Sequence, residues 1–226
     1  LGLAATVAAP RARVVDLQES QLSPAGGAAI GNALKVNKVL TDLNLSGNNI
    51  GGAGWIKASE VEGESKEVGA KVIYQGREMV VSKGVDSDGD LKLVDAMQTG
   101  VLAIAKALEV NGVLTNLNLR DNNIRDAGAA AIAEALRGNE VLTTIDLSRN
   151  DIRREGGVAI GNALAVNEVL TSLDLGRNQI GDEGAKAIGK ALAINGVLTS
   201  LNLQHIEDEG AAAIAEALRG NEVLTT

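Results

Sequence analysis

The sequence predicts an α/β solenoid: a stack of strand–turn–helix units interrupted by one small β-meander. Three observations carry this. The text VLTSLDLGRNQIGDEGAKAIGKALAIN, Val169 to Asn195, has a near copy before it at Val141 and another after it at Val197, so the step is 169 − 141 = 28 and 197 − 169 = 28. Within the unit, Leu170, Leu173 and Leu175 keep the LxxLxL spacing of a short strand, while Ala185, Ile188, Ala191 and Leu192 fall on one face of a helix. The run from Trp55 to Gly100 breaks this period and changes to short β-type segments. A fixed period of roughly 20–29 residues with regular leucines marks units that bury their apolar faces only against their neighbours.

Taken in order, the first unit is degenerate. Val15, Asp16, Leu17 and Leu22 lie 28 residues before Leu43, Asn44, Leu45 and Ile50, but Ser20 stands where later units have Asn, and Arg11 and Ala12 replace the Val-Leu pair. This suits an N-terminal cap or the place where upstream units were cut away. Pro24 sits near the first turn of a helix, where its missing N–H costs nothing, and AAIGNALKVN, Ala28 to Asn37, completes the unit. The second strand, Val39 to Ile50, is followed by a strand only at Val113; 113 − 39 = 74, which is 46 more than one period. Gly54 aligns with Gly100, after which VLAIAKALEVN resumes the helix. The chain therefore divides into repeats over 1–54, an inserted β module over 55–100, and repeats over 101–226.

Inside the insertion AKVIYQ, REMVVSK and DLKLVD are alternating or β-branched runs, separated by Gln75-Gly76 and by the stretch from Asp86 to Asp90. Glycine supplies the positive φ of tight turns, so a three-stranded meander is expected. A unit of roughly 45 residues is marginal alone and should lean on the solenoid. Trp55, at the junction, either makes that contact or belongs to the module's own small core. From Val113 the strands run VLTNLNLRDNNI, VLTTIDLSRNDI and VLTSLDLGRNQI, then VLTSLNLQHIEDEG, which is shortened, since Val197 to Val223 is 26, and lacks the turn Asn. Opening at Leu1 and stopping at VLTT as another strand begins, the chain reads as incomplete at both ends.

The LTxLxLxxNxI strands with GAxAIAxAL helices resemble the ribonuclease-inhibitor class of leucine-rich repeat, most closely the repeats of NOD-like receptor proteins, across nearly all of the chain outside the insertion. The resemblance implies a leucine-rich repeat solenoid, a curved horseshoe with parallel strands inside and helices outside that binds another macromolecule. Its recurrent asparagines, Asn48, Asn122, Asn150 and Asn178, would form a structural ladder, consistent with an amide that can donate and accept at once. A nucleotide-binding domain is not visible, so no ATPase activity carries over. The segment from Val68 to Asp95 loosely resembles small SH3-like or Tudor-like modules.

Composition narrows the function. A net charge of −8 and a pI near 4.8 argue against a general nucleic-acid surface, which needs a basic stripe; with no Phe, one Trp and one Tyr, base-stacking platforms are missing too. With no cysteine there is no disulfide or thiolate site, which favours an intracellular location, cytoplasmic or in an organelle. The apolar start LGLAATVAAP reads as a flanking segment rather than a trimmed targeting signal, and no run is long enough for a membrane span. Asp86, Asp88 and Asp90 mimic a calcium loop, but Leu91 and Met97 occupy its Gly and bidentate Glu positions, so a polar hairpin turn is expected, with no metal or other cofactor. His205, the only histidine, sits at the irregular last turn with no Ser placed beside it, and no catalytic residue is assigned.

Two aligned columns remain for recognition. The residue between the second and third leucines reads Asp16, Asn44, Asn118, Asp146, Asp174 and Asn202, on the concave face by period-two geometry. Three residues on, the column reads Glu19, Gly47, Asp121, Arg149, Arg177 and His205. The partner-binding set is accordingly Asn118, Asp121, Asp146, Arg149, Asp174 and Arg177, with Asp146 and Asp174 the nearest counter-ions to the arginines. The expected function is a non-enzymatic scaffold that holds a protein through this face or the inserted module. The alternatives are a GTPase-activating protein of the Ran-activator type, which the resemblance also allows, and a structural subunit of a large assembly.

Overall fold

The computed structural model describes residues 13–52, 54–63, 65–67, 70–74, 77–85, 87, 89–95 and 99–225. Six short strands, β1 (Val14–Asp16), β2 (Asp42–Asn44), β7 (Asn116–Asn118), β8 (Thr144–Asp146), β9 (Ser172–Asp174) and β10 (Ser200–Asn202), form one parallel sheet in that order. Each is followed by a helix: α1 (Pro24–Leu34), α2 (Thr99–Leu108), α3 (Arg125–Gly138), α4 (Arg154–Leu164), α5 (Gly181–Leu192) and α6 (Asp208–Leu218). Register is one unit to the next, with Leu43 opposite Leu117, Leu117 opposite Ile145, and Ile145 opposite Leu173. The molecule is a leucine-rich repeat solenoid of α/β class.

The apolar strand and turn positions of the period face inward, whereas Val36, Val110, Val166 and Ile194, just before the helix-end asparagines, stay exposed. Leu119, Leu147 and Leu175 follow one another along the stack, as do Ile124, Ile152 and Ile180, and all are buried. Small residues let the helices close on this core. A Cβ on Gly161 would lie 2.7 Å from the carbonyl carbon of Ala187 in the next helix, and one on Gly31 would lie 2.5 Å from that of Ala103. Bulkier residues would hold neighbouring helices apart.

Three columns of side chains tie the units together. Each turn asparagine spans two units: Asn150 donates Nδ2–H to Leu119 O in the unit before (2.9 Å) and to its own Leu147 O (3.0 Å), and its Oδ1 accepts from Asn122 N (2.9 Å). Asn178 repeats this, donating to Leu147 O and accepting from Asn150 N, while Asn122 and Asn48 continue the column toward the N-terminus. A second asparagine column, unforeseen from the sequence, runs past the other helix ends. Asn111, Asn139, Asn167, Asn195 and Asn221 each donate to a leucine carbonyl of the preceding unit, at 2.7–2.8 Å, and accept from the next strand's N–H groups. Thr115, Thr143, Thr171, Thr199 and Thr225 add a third, each hydroxyl donating to the threonine carbonyl one unit back at 3.1 Å.

The insertion is an antiparallel sheet of four strands in the order β3-β6-β5-β4: β3 (Gly54–Lys57), β4 (Lys71–Tyr74), β5 (Arg77–Lys83) and β6 (Asp90–Asp95). The last three are the expected meander. The fourth is an addition: Gly54 opens β3, where Trp55 pairs with Lys92. GWIK is too short to show a period, and its partner lies far along the chain, so no local signal marks it. The packing of the Trp55 side chain lies outside the described residues, as do Asp86 and Asp88. Helix α2 resumes at Thr99, and Gly100 lies where the period needs a glycine, its ideal Cβ only 2.8 Å from the carbonyl oxygens of Pro24 and 2.7 Å from that of Ile50.

Two measurements follow. Asn150→Ala strands the amides and carbonyls it bridges and should cost roughly 1–3 kcal/mol, against about 2–5 kcal/mol for Leu175→Ala; urea unfolding of both variants reads these losses, and an unchanged midpoint in either contradicts the stacking described. Joining Gly54 directly to Val101 lets Gly54 take the place of Gly100 and should leave a folded solenoid. Loss of the helical circular-dichroism signal with aggregation in that deletion would make the inserted sheet part of the core.

Candidate functional site

The surface that carries the sequence-predicted residues is the concave sheet and the strand-to-helix turns along its edge. On the concave side, Asn118, Asp146 and Asp174 are half-buried and engaged with their own backbone. Their Oδ1 atoms accept the N–H two residues on: Arg120 (3.0 Å), Ser148 (2.8 Å) and Gly176 (2.8 Å). Asp16 and Asn44 do the same with Gln18 and Ser46. These are Asx turns, which end each strand by offering the backbone a side-chain acceptor in place of another ladder bond. Asp or Asn is therefore required here by the turn, and what each leaves for a partner is its second polar atom. At Asp146 the Ser148 hydroxyl also donates to Oδ1, at 2.6 Å; at Asp174 the Asn202 amide does so at 3.1 Å.

Beside this column lies a second concave row that the sequence reading passed over: Asp42, Asn116, Thr144, Ser172 and Ser200. Asp42 accepts from the Thr41 hydroxyl at 2.6 Å and from the Asn116 amide. The Thr41 bond first, then that of Asn116, holds its carboxyl below the ordinary carboxylate range against a small opposing effect of burial. Asp42, Asn44, Asn116, Asn118, Thr144 and Asp146 border a shallow depression of about 280 Å³ whose lining also includes Val14, Leu43 and Leu117. The signal for this row was present, since strand positions two apart share a face, but its residue types vary and so do not stand out.

The turn column has a different character. Glu19, Asp121, Arg149, Arg177 and His205 all have φ between 51° and 57°, and Gly47 has 64°. The left-handed conformation lets each N–H reach the neighbouring unit: Asp121 N donates to Ser148 O and Arg149 N to Gly176 O, both at 3.0 Å. At Arg177 the irregular last unit substitutes the Gln204 side chain, at 3.1 Å. Glycine or asparagine suits such a position, whereas other residues carry a cost of about 1–2 kcal/mol. Arginine occurs there at Arg149 and Arg177; Arg125, four residues after Asp121, is also left-handed at φ 59°, at the position that Gly181 holds two units on with φ 63°.

The counter-ions expected for these arginines are elsewhere engaged. Among the described residues no ion pair joins Arg149 or Arg177 to Asp146 or Asp174; the ion pairs present lie on the helices, as in Lys186 with Glu183 and Glu209. The Asx turns fix the two carboxylates at the strand ends. Asp121 and Arg177 are exposed and Arg149 is half-buried. His205 is exposed at the bend. Among the described residues no group of three or more His, Asp or Glu is placed to hold a metal ion, and no helix is long and apolar enough to cross a membrane. What the surface offers is a polar floor with a cationic edge, rich in hydrogen-bonding groups held by a rigid backbone.

Fold, ladders and turn geometry together define a leucine-rich repeat solenoid. Four stretches, residues 36–57, 110–133, 138–161 and 166–189, match the leucine-rich repeat family model. None of the curated protein sequences matches the chain. Among solved structures it is similar to the leiomodin-1 actin-binding site 2, at 29% identity and TM-score 0.46 over 54% of this chain and 71% of that one. It is also similar to the tropomodulin C-terminal domain of Caenorhabditis elegans, at 15% identity and TM-score 0.47 over 54% and 75% respectively.

The strained turn column yields a direct test. With φ at 56° and no ion pair to lose, Arg177→Gly should raise the stability of the free protein by about 0.5–1 kcal/mol. A urea midpoint that instead falls in this variant would show that the arginine stabilises the fold and would account for its presence without a partner.

Proposed function

We propose that this chain is a non-enzymatic scaffold, with repeats of the ribonuclease-inhibitor class, that holds an intracellular protein partner on its concave floor and cationic edge. Asn118, Asp146 and Asp174 supply hydrogen-bonding groups from the floor, and Asp121, Arg149 and Arg177 supply charge from the edge. The observation that carries this reading is the placement of Arg149 and Arg177 in left-handed backbone, without ion-pair partners, where glycine or asparagine would fit at lower cost. Such strain persists where a function uses it. A partner carboxylate suits the planar guanidinium fork, and a floor fixed by Asx turns loses little freedom on binding.

The test uses the partner isolated with the chain, identified by mass spectrometry and purified. Reversing both charges, Arg149→Glu with Arg177→Glu, should slow association at least tenfold and remove its salt dependence while leaving the melting temperature nearly unchanged. Unaltered association kinetics in the double variant would remove these residues from the site. Binding lost only on deletion of the inserted sheet would move recognition there.

A further inference from the structure

The helix-end asparagine column carries a reactive pairing that its packing does not require. The chain holds two Asn-Gly pairs, Asn111-Gly112 and Asn195-Gly196, and both fall in this column; 195 − 111 = 84, three periods of 28. After Asn37, Asn139, Asn167 and Asn221, which make the same bonds to the following strand, stand Lys38, Glu140, Glu168 and Glu222. Nothing in the backbone asks for glycine at 112 or 196. Neither φ lies in the left-handed region, and an ideal Cβ on either meets nothing within 4 Å. Both glycines are exposed, and among the described residues no hydrogen bond occupies their N–H groups.

Glycine there matters for the amide in front of it. With no Cβ, its backbone moves more freely than that of any other residue, and its nitrogen can approach the side-chain carbon of the asparagine unhindered. The closed ladder prevents that approach. Asn111 is 3% exposed; its Nδ2 donates to Leu34 O at 2.7 Å and Asn37 O at 3.3 Å, and its Oδ1 accepts from Val113 N at 3.0 Å and Leu114 N at 2.8 Å. Asn195 is held in the same way by Leu164 O, Asn167 O, Val197 N and Leu198 N. Four bonds fix each side chain and engage both ends of its amide. Local opening of the stack releases all four together.

We infer that Asn111 and Asn195 are sites of spontaneous covalent modification, set to react when the solenoid opens between units. In the opened chain the Gly112 nitrogen, giving up its proton, bonds to Cγ of Asn111; the Cγ–Nδ2 bond breaks and ammonia leaves with that proton. Water then opens the cyclic imide, at Cγ to give aspartate or at the main-chain carbonyl to give isoaspartate. No oxidant or reductant enters. Either product ends the ladder at that unit. A carboxylate has no proton to donate to Leu34 O and Asn37 O and sets negative charge against them. Isoaspartate also adds a carbon to the main chain, displacing the N–H groups that Oδ1 held. Opening that is reversible at Asn139 or Asn167 becomes permanent at the two glycine sites.

The chain is incubated at mildly alkaline pH, in buffer and in urea above its unfolding midpoint, and conversion at each asparagine is read by peptide mapping with mass spectrometry. In urea Asn111 and Asn195 should convert roughly tenfold faster than Asn139 and Asn167, because glycine leaves its nitrogen unhindered. In buffer both should be slowed by about tenfold or more, since the ladder must first open. Converted chains, separated by their added negative charge and refolded, should unfold at a lower urea concentration than unconverted ones. Gly112→Glu with Gly196→Glu places residues that the column already holds at 140 and 168, and should keep the original midpoint before and after the same incubation. Gly112→Ala with Gly196→Ala, an uncharged pair, carries the same expectation. Conversion as fast in buffer as in urea, equal rates at Asn139 and Asn167, or converted chains that refold to the original midpoint each overturn the inference.

Discussion

The asparagine amide that bridges two units is the interaction on which the rest of this structure depends. A unit with a three-residue strand and a helix of three turns has turns on both sides that leave backbone groups with no regular partner. Water cannot serve them, because Asn122, Asn150 and Asn178 lie at or near zero exposure, and an unpaired buried amide or carbonyl costs about 1–3 kcal/mol. Asn alone offers a neutral acceptor and two donors at this reach. Aspartate would set an acceptor against carbonyl oxygens, and glutamine would overreach. Because each amide takes carbonyls from its own unit and the one before, satisfaction of any turn requires its neighbour. Stacking and turn closure are thus one event.

The second asparagine column extends the same logic to the opposite edge. Asn111 through Asn221 hold the descent from helix to strand, so each unit is pinned at both ends of its helix while threonine hydroxyls pin the strand entry. The result is a rail with fixed spacing and fixed side-chain directions. Recognition on such a rail needs no moving loop. A partner bound as proposed would meet columns of side chains whose backbone is already held by the ladders.

The period, the strand and helix alternation and the first ladder were legible because each rests on a residue repeated at 28-residue steps. Other features were not, for identifiable reasons. The second ladder uses the Asn at the end of VN, GN and IN pairs, where asparagine reads equally well as an ordinary helix stop. The strand GWIK pairs across most of the insertion and has no local signature. Asp146 and Asp174 were legible as a polar concave column, but the sequence does not reveal that one oxygen of each closes an Asx turn and that, among the described residues, neither carboxylate pairs with Arg149 or Arg177. Arg125 was missed because its equivalents are Arg153 and Gly181; only backbone torsions show that it shares the conformation of the glycine.

That last point bears on the edge proposed for the partner, although Glu19 and Gln21 share the left-handed conformation in the first unit. Positions 121, 123 and 151 are also left-handed, and they hold Asp, Asn and Asp, side chains that tolerate the conformation by bonding locally. Arginine has no such local remedy, and its long stem costs entropy to order. If the turn alone chose its residues, Arg125, Arg149 and Arg177 would drift toward glycine or asparagine, as Gly47 and Gly181 have it at equivalent places. The three occupy successive units at one edge, two of them with Nε donors kept from water. A demand distributed along the stack in this way fits an external surface of similar length more readily than any requirement of the individual turn.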